Sequence, residues 1–439
     1  MKRLTDCFAM SIRRRRIEKE RIMELKISNV GKIDSAEIEI KGITIIAGLN
    51  GTGKSTVSRS LFAMFHSFSN MSRKINLEKM YAIEDLIYKL YMMPPDFFKN
   101  MNIDLEEMGK ALLGNTDKNS IRKEFQKVYN ESAPIDDLVE KVIKINSTSD
   151  DLLRNEIVSE IFLREFNGHI TNIQSSEKSE IEIKIKDHKI EVIFDNKDNL
   201  LEIVNEKELI QRIVYIDDPF IMDSHSLFEI SPESLFSDIR NEKTTNHRGE
   251  LIKQYKSTKN LNLVDRVNLK EKLSAVYQKI NDTLGSDMSL FETDKDSISG
   301  SKRTRGLSLD SLSSGMKTFY LIKSLIDNGT IVQNGTLILD EPEVHLHPDW
   351  QVTLAEIIVL LQREMGLHIL INTHSPYFLR AIEVFSGKYY TEDTVKYYLS
   401  YNEGNNAKMK DVTFNISEIY RVLSDPLQRI ENEAYNDGD

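Results

Sequence analysis

Residues 48–56 read Gly-Leu-Asn-Gly-Thr-Gly-Lys-Ser-Thr, directly after the apolar run 43–47, which is typical of a buried strand. The stretch fits the pattern G-x-x-x-x-G-K-[S/T], and a helix is expected over about 54–66. Glycines in such a loop let backbone N–H groups face phosphate oxygens, and the helix N-terminus adds the positive end of its dipole. The sequence therefore predicts a cradle for a nucleoside triphosphate. The expected binding residues of this cradle are Asn50, Gly51, Thr52, Gly53, Lys54, Ser55 and Thr56.

Two carboxylates follow a second apolar strand, expected at 336–339. Asp340 is expected to hold Mg²⁺ together with the hydroxyl of Ser55, and Glu341 is expected to be the general base beside the attacking water. Standing alone, an acidic pair usually only ends a strand and starts a turn. The phosphate cradle earlier in the chain favours the catalytic interpretation. The expected metal ligands are therefore Ser55 and Asp340.

A histidine follows the next expected strand. Apolar residues at helical spacing over 349–365 and a strand at 368–371 indicate a strand–helix–strand unit of a parallel sheet. His374 comes just after this strand, where its side chain can reach a γ-phosphate at the same sheet edge. Such a histidine is in isolation more often an ordinary hydrogen-bonding residue, and its position among the other motifs reverses that preference. The expected catalytic residues are Glu341, His374 and Lys54.

A serine-rich turn precedes the helix expected at 317–327. It contains Ser313, Ser314 and Gly315, so its hydroxyls and backbone amides lie at a helix N-terminus, where anions bind. The alternative is that Ser313 is an ordinary N-cap. The position of the turn, about 25 residues before the acidic pair, favours nucleotide binding.

Together the four motifs resemble those of the ABC-type ATPase heads of the SMC, RecF and OLD group. The run 340–348, Asp-Glu-Pro-Glu-Val-His-Leu-His-Pro, resembles the D-E-P-E-x-x-L-H-P of OLD-like ATPases, and 373–376 resembles their T-H-S-P. The resemblance covers about 23–66 and 305–385. It implies an α/β fold, an ABC-type P-loop ATPase head with a mixed sheet and flanking helices.

The resemblance also implies a mechanism. ATP with Mg²⁺ would lie between two heads, with Lys54 and the acidic pair from one copy and the turn 313–315 from the other, so the chain is expected to form a homodimer or a higher oligomer built from such dimers. Two departures stand out: the turn reads Ser-Ser-Gly-Met where transporters have Ser-Gly-Gly-Gln, and His347 stands where many heads have an aspartate. Neither departure removes a required chemical group.

Composition limits the classes of protein. The chain has 439 residues, 40% of them hydrophobic and 29% charged, with a net charge of −11 and no apolar run of 18 residues, so a membrane protein is not expected. A single cysteine, Cys7, excludes an internal disulfide framework and suits a reducing, cytoplasmic setting. Nucleic-acid binding would need a local basic patch, for which 13–16 and 302–305 are the candidates.

The middle of the chain predicts a mainly helical insertion followed by a hairpin over 181–194, a strand at 212–216 and one helix over 264–284. That helix is too short for a long coiled-coil arm. The helices expected in the insertion are 77–91, 105–113, 121–129, 136–145 and 152–166. The expected divisions are a basic, flexible N-terminal tail at 1–22, the first part of the head at 23–66, the insertion at 67–180, a hairpin, strand and helix rejoining the head at 181–300, the second part of the head at 301–390 and a C-terminal extension at 391–439.

The leading functional hypothesis is an ATPase whose nucleotide state controls a separate effector protein, a nuclease, in bacterial antiphage defence, similar to Septu-like ATPases. This step comes from the resemblance. The alternative is a RecF-like DNA-repair ATPase that binds DNA directly, which a steep salt dependence of DNA binding would support. A transporter subunit is a third class, and the insertion and the Ser-Ser-Gly-Met turn argue against it.

Overall fold

A computed structural model gives the structure of the protein and describes residues 22–91, 105–130, 133–204, 208–226, 245–257, 261–285 and 312–436. The expected tail at 1–22, except for its last residue, and both candidate basic patches lie outside these ranges. Within the described residues, no helix combines the length and the apolar character needed to cross a membrane.

One mixed sheet of eleven strands organises the described chain. The strands are β1 (Met23–Val30), β2 (Ile33–Ile40), β3 (Ile43–Gly48), β4 (Ser179–Ile185), β5 (His188–Phe194), β6 (Leu200–Val204), β7 (Ile213–Ile216), β8 (Thr336–Asp340), β9 (His368–Thr373), β10 (Val395–Glu403) and β11 (Asn406–Asp411). Their spatial order is β6-β5-β4-β1-β2-β11-β10-β3-β9-β8-β7. The run from β10 to β7 is parallel, whereas β1, β2 and β4 to β6 pair antiparallel.

Helices cover both faces of the sheet. They are α1 (Lys54–Phe68), α2 (Met71–Tyr91), α3 (Leu105–Leu112), α4 (Lys118–Val128), α5 (Ile135–Asn146), α6 (Asp150–Glu165), α7 (His247–Lys256), α8 (Leu263–Lys272), α9 (Ser274–Leu284), α10 (Ser314–Asp327), α11 (Pro348–Met365), α12 (Pro376–Lys388) and α13 (Ser417–Asn436). This architecture confirms the predicted fold class, α/β with a mixed sheet and flanking helices.

Alternation along the central strands creates two separate cores. In β3, Ile43 and Ile45 face the core formed with α9 to α12, whereas Ile46 faces the core formed with α1 and α6. The strands of a parallel sheet are buried on both faces, which explains why every residue of β3, β8 and β9 is buried and most are apolar. The helix that starts at the phosphate loop and the helix that starts at the serine turn therefore lie on opposite faces.

The helical insertion contains a third core of its own. Residues at the end of α2 pack with α3, α4 and α5 around Phe125, which is fully buried. Helix α6 instead joins the core of the sheet, where Ile161 and Phe162 are fully buried. The insertion thus has an outer part that packs on itself and a last helix that packs on the head.

Two expectations about the second half of the chain need correction. The single helix expected over 264–284 is interrupted at Leu273, which is fully buried and ends α8. Helix α8 buries none of its own side chains, whereas α9 buries an apolar face, so the chain turns to bring only α9 onto the core. The segment expected as an extension after residue 390 supplies β10 and β11, and β10 lies beside β3 in the middle of the sheet.

Candidate nucleotide-binding site

The phosphate loop joins β3 to α1, as expected. Its glycines occupy positions where another residue would be strained or would clash. Gly51 and Gly53 have φ angles of 72° and 83°, in the left-handed region that glycine adopts without strain. A Cβ added to Gly48 would lie 2.3 Å from the carbonyl oxygen of Ser400 in β10. The loop therefore needs glycine for two reasons: the left-handed backbone at Gly51 and Gly53, and the lack of space for a Cβ at Gly48.

Lys54 begins α1 and turns back over the loop. Its Nζ donates to the carbonyl oxygens of Gly48 and Leu49 at 3.1 and 3.0 Å and lies 3.7 Å from Oε1 of Glu341. The side chain is only 4% exposed, and burial lowers the pKa of Lys54 while the neighbouring carboxylates oppose that shift. The ammonium group is thus held at the loop, where it can meet a phosphate oxygen.

Ser400 of β10 supports the phosphate loop from the neighbouring strand. Its hydroxyl lies 2.7 Å from the hydroxyl of Thr52, which itself donates to the carbonyl oxygen of Leu49 at 2.7 Å. Both hydroxyls are buried. Sequence patterns gave no indication of Ser400, because its contact joins residues 348 positions apart.

The carboxylate of Asp340 lies at the end of β8, and two buried donors fix its orientation. Oδ2 accepts a hydrogen bond from the hydroxyl of Tyr215 at 2.9 Å, and Oδ1 accepts one from Nδ2 of Asn372 at 2.8 Å. Asn372 also donates to the hydroxyl of Ser58 in α1 at 2.9 Å. A row of hydrogen-bonded polar side chains therefore connects β7, β8 and β9 to α1.

Glu341 and His374 form a pair at the same sheet edge. Nδ1 of His374 lies 3.4 Å from Oε1 of Glu341, and this contact lowers the pKa of the carboxyl and raises the pKa of the imidazole. Glu341 has a φ of 51°, a conformation that a non-glycine residue rarely adopts and that is often found at functional sites. The pair places a carboxylate and an imidazole beside Lys54.

Glu343 joins the loop after β8 to the loop after β9. Its Oε1 accepts hydrogen bonds from the hydroxyl of Thr373, from the backbone N–H of His374 at 3.1 Å and from that of Ser375 at 3.3 Å. Burial raises the pKa of Glu343, and its Oε2 is buried with no hydrogen-bond partner in the described part of the chain. The second glutamate of the acidic motif therefore holds the backbone around the histidine, a role that the sequence analysis did not assign.

The serine turn lies apart from the phosphate loop. Ser313 is the N-cap of α10 and its hydroxyl accepts from the N–H of Met316 at 3.4 Å, so the ordinary capping role is present. A Cβ on Gly315 would lie 2.7 Å from the Trp350 ring. The absence of a side chain at Gly315 therefore lets the turn pack closely against α11. Among the residues that the structure describes, no hydrogen bond joins this turn to the phosphate loop of the same chain.

The structure thus brings Lys54, Asp340, Glu341 and His374 together at the carboxyl ends of β3, β8 and β9. Residues 313–315 lie on the face of the sheet opposite α1. Ser55 and Thr56 are half-buried in the first turn of α1, and Asn50 and Gly51 are exposed at the loop tip. A basic side chain, exposed backbone amides, a serine hydroxyl and a fixed carboxylate are the groups that a magnesium–triphosphate complex requires. The residues present therefore fit Mg²⁺ and ATP.

The chain is similar, at low sequence identity, to solved structures that include two SMC heads and an ATP-binding cassette. An SMC head bound to the C-winged helix domain of ScpA is 11% identical, with a TM-score of 0.38, and covers 90% of this chain and 99% of its own. The SMC head domain from Thermotoga maritima is 12% identical, with a TM-score of 0.32, and covers 89% and 99%. The ADP conformation of MJ1267, an ATP-binding cassette of an ABC transporter, is 13% identical, with a TM-score of 0.31, and covers 92% and 96%.

No curated protein matches the sequence. Residues 43–380 match the profile of the family described as "AAA domain, putative AbiEii toxin, Type IV TA system". This region includes the phosphate loop, the acidic pair and the histidine, and it extends over more than half of the chain. The protein therefore belongs to this family of AAA-domain proteins.

Proposed function

We propose that the protein binds ATP with Mg²⁺, hydrolyses it to ADP and phosphate between two copies of the chain, and uses the nucleotide state to control a partner protein. The observation that carries this proposal is the convergence of Lys54, Asp340, Glu341 and His374 on the phosphate loop. Nζ of Lys54 and Nδ1 of His374 both lie within 4 Å of the Glu341 carboxylate, at 3.7 and 3.4 Å.

Each residue has a role that follows from its surroundings. Loop amides and Lys54 bind the phosphates, and Ser55 with Asp340 would hold Mg²⁺, which neutralises charge on the phosphate oxygens when bound. Glu341 accepts a proton from the attacking water, since its lowered pKa keeps it ionised at neutral pH. His374 donates a hydrogen bond toward the γ-phosphate and is held in place through the loop that Glu343 fixes.

The dimer is supported by the position of the serine turn. Residues 313–315 lie on the face of the sheet opposite α1, so they do not complete the phosphate site of their own chain. The N-terminus of α10 presents amides and hydroxyls suited to an anion. A second copy packed face to face would supply this turn to the γ-phosphate, as the resemblance to ABC-type heads implies.

The partner is an effector, and we propose a nuclease acting in bacterial antiphage defence in the cytoplasm. The resemblance of the acidic motif to OLD-like and Septu-like ATPases supports this choice, and the family description, which names a toxin–antitoxin system, agrees with control of a toxic activity. The helical insertion, with a core separate from the sheet, is the surface that we assign to the partner.

Paired variants test the ATPase part of this proposal. Lys54→Ala is expected to lose ATP binding, whereas Glu341→Gln is expected to bind ATP, to stop turnover and to accumulate as a dimer. Glu418→Gln, which changes a surface carboxylate on α13, is the matched control and should hydrolyse ATP normally. Normal hydrolysis by Glu341→Gln would refute the assignment of the base.

Mixing two inactive variants tests the dimer. Ser313→Arg blocks the turn and Lys54→Ala blocks the loop, so each variant alone should be inactive. A mixed dimer contains one site with an intact loop and an intact turn, and we expect partial recovery of ATP hydrolysis. No recovery, with mixed dimers demonstrated by mass spectrometry, would contradict the shared site.

A further inference from the structure

Tyr215 is a buried side chain that contacts the expected metal ligand. It lies in β7, at the edge of the sheet, and is 2% exposed. Its hydroxyl donates to Oδ2 of Asp340 at 2.9 Å, while Asn372 donates to Oδ1 at 2.8 Å. Because both oxygens of the carboxylate receive a hydrogen bond, the orientation of the group that would hold Mg²⁺ is fixed.

The ring of Tyr215 is held in turn by His247, the first residue of α7. The two rings stack with centroids 4.2 Å apart and an interplanar angle of 23°. The ring of Phe62 in α1 lies beside both, with its centroid 6.0 Å from that of Tyr215 and 6.1 Å from that of His247. The rings of His247 and Phe62 therefore restrict the positions that the Tyr215 ring can take.

Two carboxylates fix His247. Nδ1 lies 2.6 Å from Oε1 of Glu165, and Nε2 lies 3.1 Å from Oδ2 of Asp217. The backbone N–H of His247 also donates to Oε2 of Glu165 at 2.9 Å. Burial opposes a charge on the ring, but the contacts with Asp217 and Glu165 outweigh burial and raise the pKa of His247 to about 9. Arg248 completes the charge balance through its contacts with Asp217.

These contacts connect distant parts of the chain. Glu165 is the last residue of α6, the helix that closes the insertion, and its side chain is fully buried. Asp217 follows β7 directly. A continuous set of contacts therefore runs from the insertion through Glu165, His247 and Tyr215 to Asp340.

We propose that Tyr215 is a positioning residue for the Asp340 carboxylate, and that the contact between Glu165 and His247 makes the affinity for magnesium depend on the position of insertion helix α6. The proposal rests on the proposed function, since it assigns regulation of the same site. A protein bound to the insertion would change the ATP site by displacing α6, without touching the nucleotide.

Nucleotide binding with and without metal tests the role of Tyr215. The affinity for a fluorescent ATP analogue is measured in EDTA and across a Mg²⁺ titration. We expect Tyr215→Phe to raise the Mg²⁺ concentration needed for half-maximal tight binding about 10- to 100-fold and to leave the EDTA affinity unchanged. Tyr398→Phe removes another buried sheet tyrosine hydroxyl, one that accepts from the N–H of Glu39, and should behave as the wild type.

Glu165→Gln tests the connection to the insertion. Both oxygens of Glu165 contact His247, Oε1 at the ring and Oε2 at the backbone N–H. Glutamine keeps only one of these two acceptors and removes the charge, so we expect a several-fold rise in the Mg²⁺ requirement. In the Tyr215→Phe background the same change should have no further effect, because the hydrogen bond from the Tyr215 hydroxyl to Asp340 is already absent. If thermal unfolding shows that Tyr215→Phe does not fold, Glu165→Gln alone still tests the proposal.

The outcomes separate this inference from the proposed function. A wild-type chain that binds no nucleotide would overturn both. Magnesium-dependent binding by the wild type that is the same in Tyr215→Phe, or additive effects of the two substitutions, would overturn the inference alone. If Tyr215→Phe does not fold, a wild-type Mg²⁺ requirement in Glu165→Gln would overturn it.

Discussion

Glu343 holds the backbone around His374, and its removal should loosen that loop by a measurable amount. The side chain is 2% exposed, and Oε1 accepts from the N–H groups of His374 and Ser375 and from the hydroxyl of Thr373. Glu343→Ala deletes the acceptor. Glu343→Gln keeps one side-chain oxygen in the same place and removes only the charge, so it is the conservative comparison.

The magnitude follows from the two amides. In the described part of the chain, the N–H of His374 has no acceptor other than Glu343, whereas the N–H of Ser375 also donates to the hydroxyl of Thr373 at 3.0 Å. A hydrogen bond to a charged group contributes about 1.5–3 kcal/mol. Local opening at His374 should therefore become roughly 10- to 100-fold more frequent in Glu343→Ala. The effect at Ser375 should be smaller, because its second acceptor remains.

Hydrogen exchange followed by mass spectrometry measures this change directly, in the chain without nucleotide, so the result does not depend on ATP hydrolysis. Exchange of the His374 amide should accelerate roughly 10- to 100-fold in Glu343→Ala and by less than about fivefold in Glu343→Gln, which retains an acceptor. Glu356→Ala removes another buried glutamate, one that contacts Lys279 and Lys388, and is the control. Wild-type exchange at His374 in Glu343→Ala would refute the reasoning.

Three further predictions concern other parts of the molecule. Gly48→Ala should lose nucleotide binding, because its Cβ would lie 2.3 Å from the Ser400 carbonyl oxygen, whereas Gly387→Ala, with open space around it, should bind normally in the same fluorescence assay. The charge on His247 should contribute about 3 kcal/mol to the free energy of unfolding below pH 6.5, because the folded-state pKa is raised to about 9, and this contribution should be lost as the pH rises through about 9. The difference in unfolding free energy between wild type and His247→Gln, measured by urea unfolding, should therefore narrow over that interval, and a constant difference would contradict the ion pairs. Phe125→Ala should destabilise the outer part of the insertion by about 3–5 kcal/mol and leave nucleotide affinity unchanged, which calorimetry and binding would show; a loss of binding would mean that the two cores are not independent.

The sequence predicted those parts of the site that follow from local patterns. Strand, glycine loop and helix are consecutive, so Lys54 could be placed from residues 43–66 alone, and Asp340 and His374 each come at the end of an apolar strand. The structure brings these side chains together as expected. Their catalytic and metal-binding roles remain predictions.

The supporting residues could not be found in this way, because their contacts join distant segments. Tyr215 meets Asp340 across 125 positions and Ser400 meets Thr52 across 348, and neither residue belongs to a pattern that indicates its partner. The break at Leu273 was missed for a related reason: the apolar spacing of 264–284 continues through it, and only packing on the core decides where the helix must turn. Glu343 stood within a quoted motif, yet its role depends on the loop after β9.

The position of β10 determines when the nucleotide site can assemble during synthesis. The phosphate loop leaves the ribosome early, but β3 lies between β9 and β10, which are translated more than 300 residues later. Contacts of such large sequence separation form slowly. A nascent chain or a fragment ending before residue 395 would lack Ser400 beneath the loop. The chain would then be able to bind ATP only after its final strands have been translated. Incomplete products of translation would therefore not form the nucleotide site.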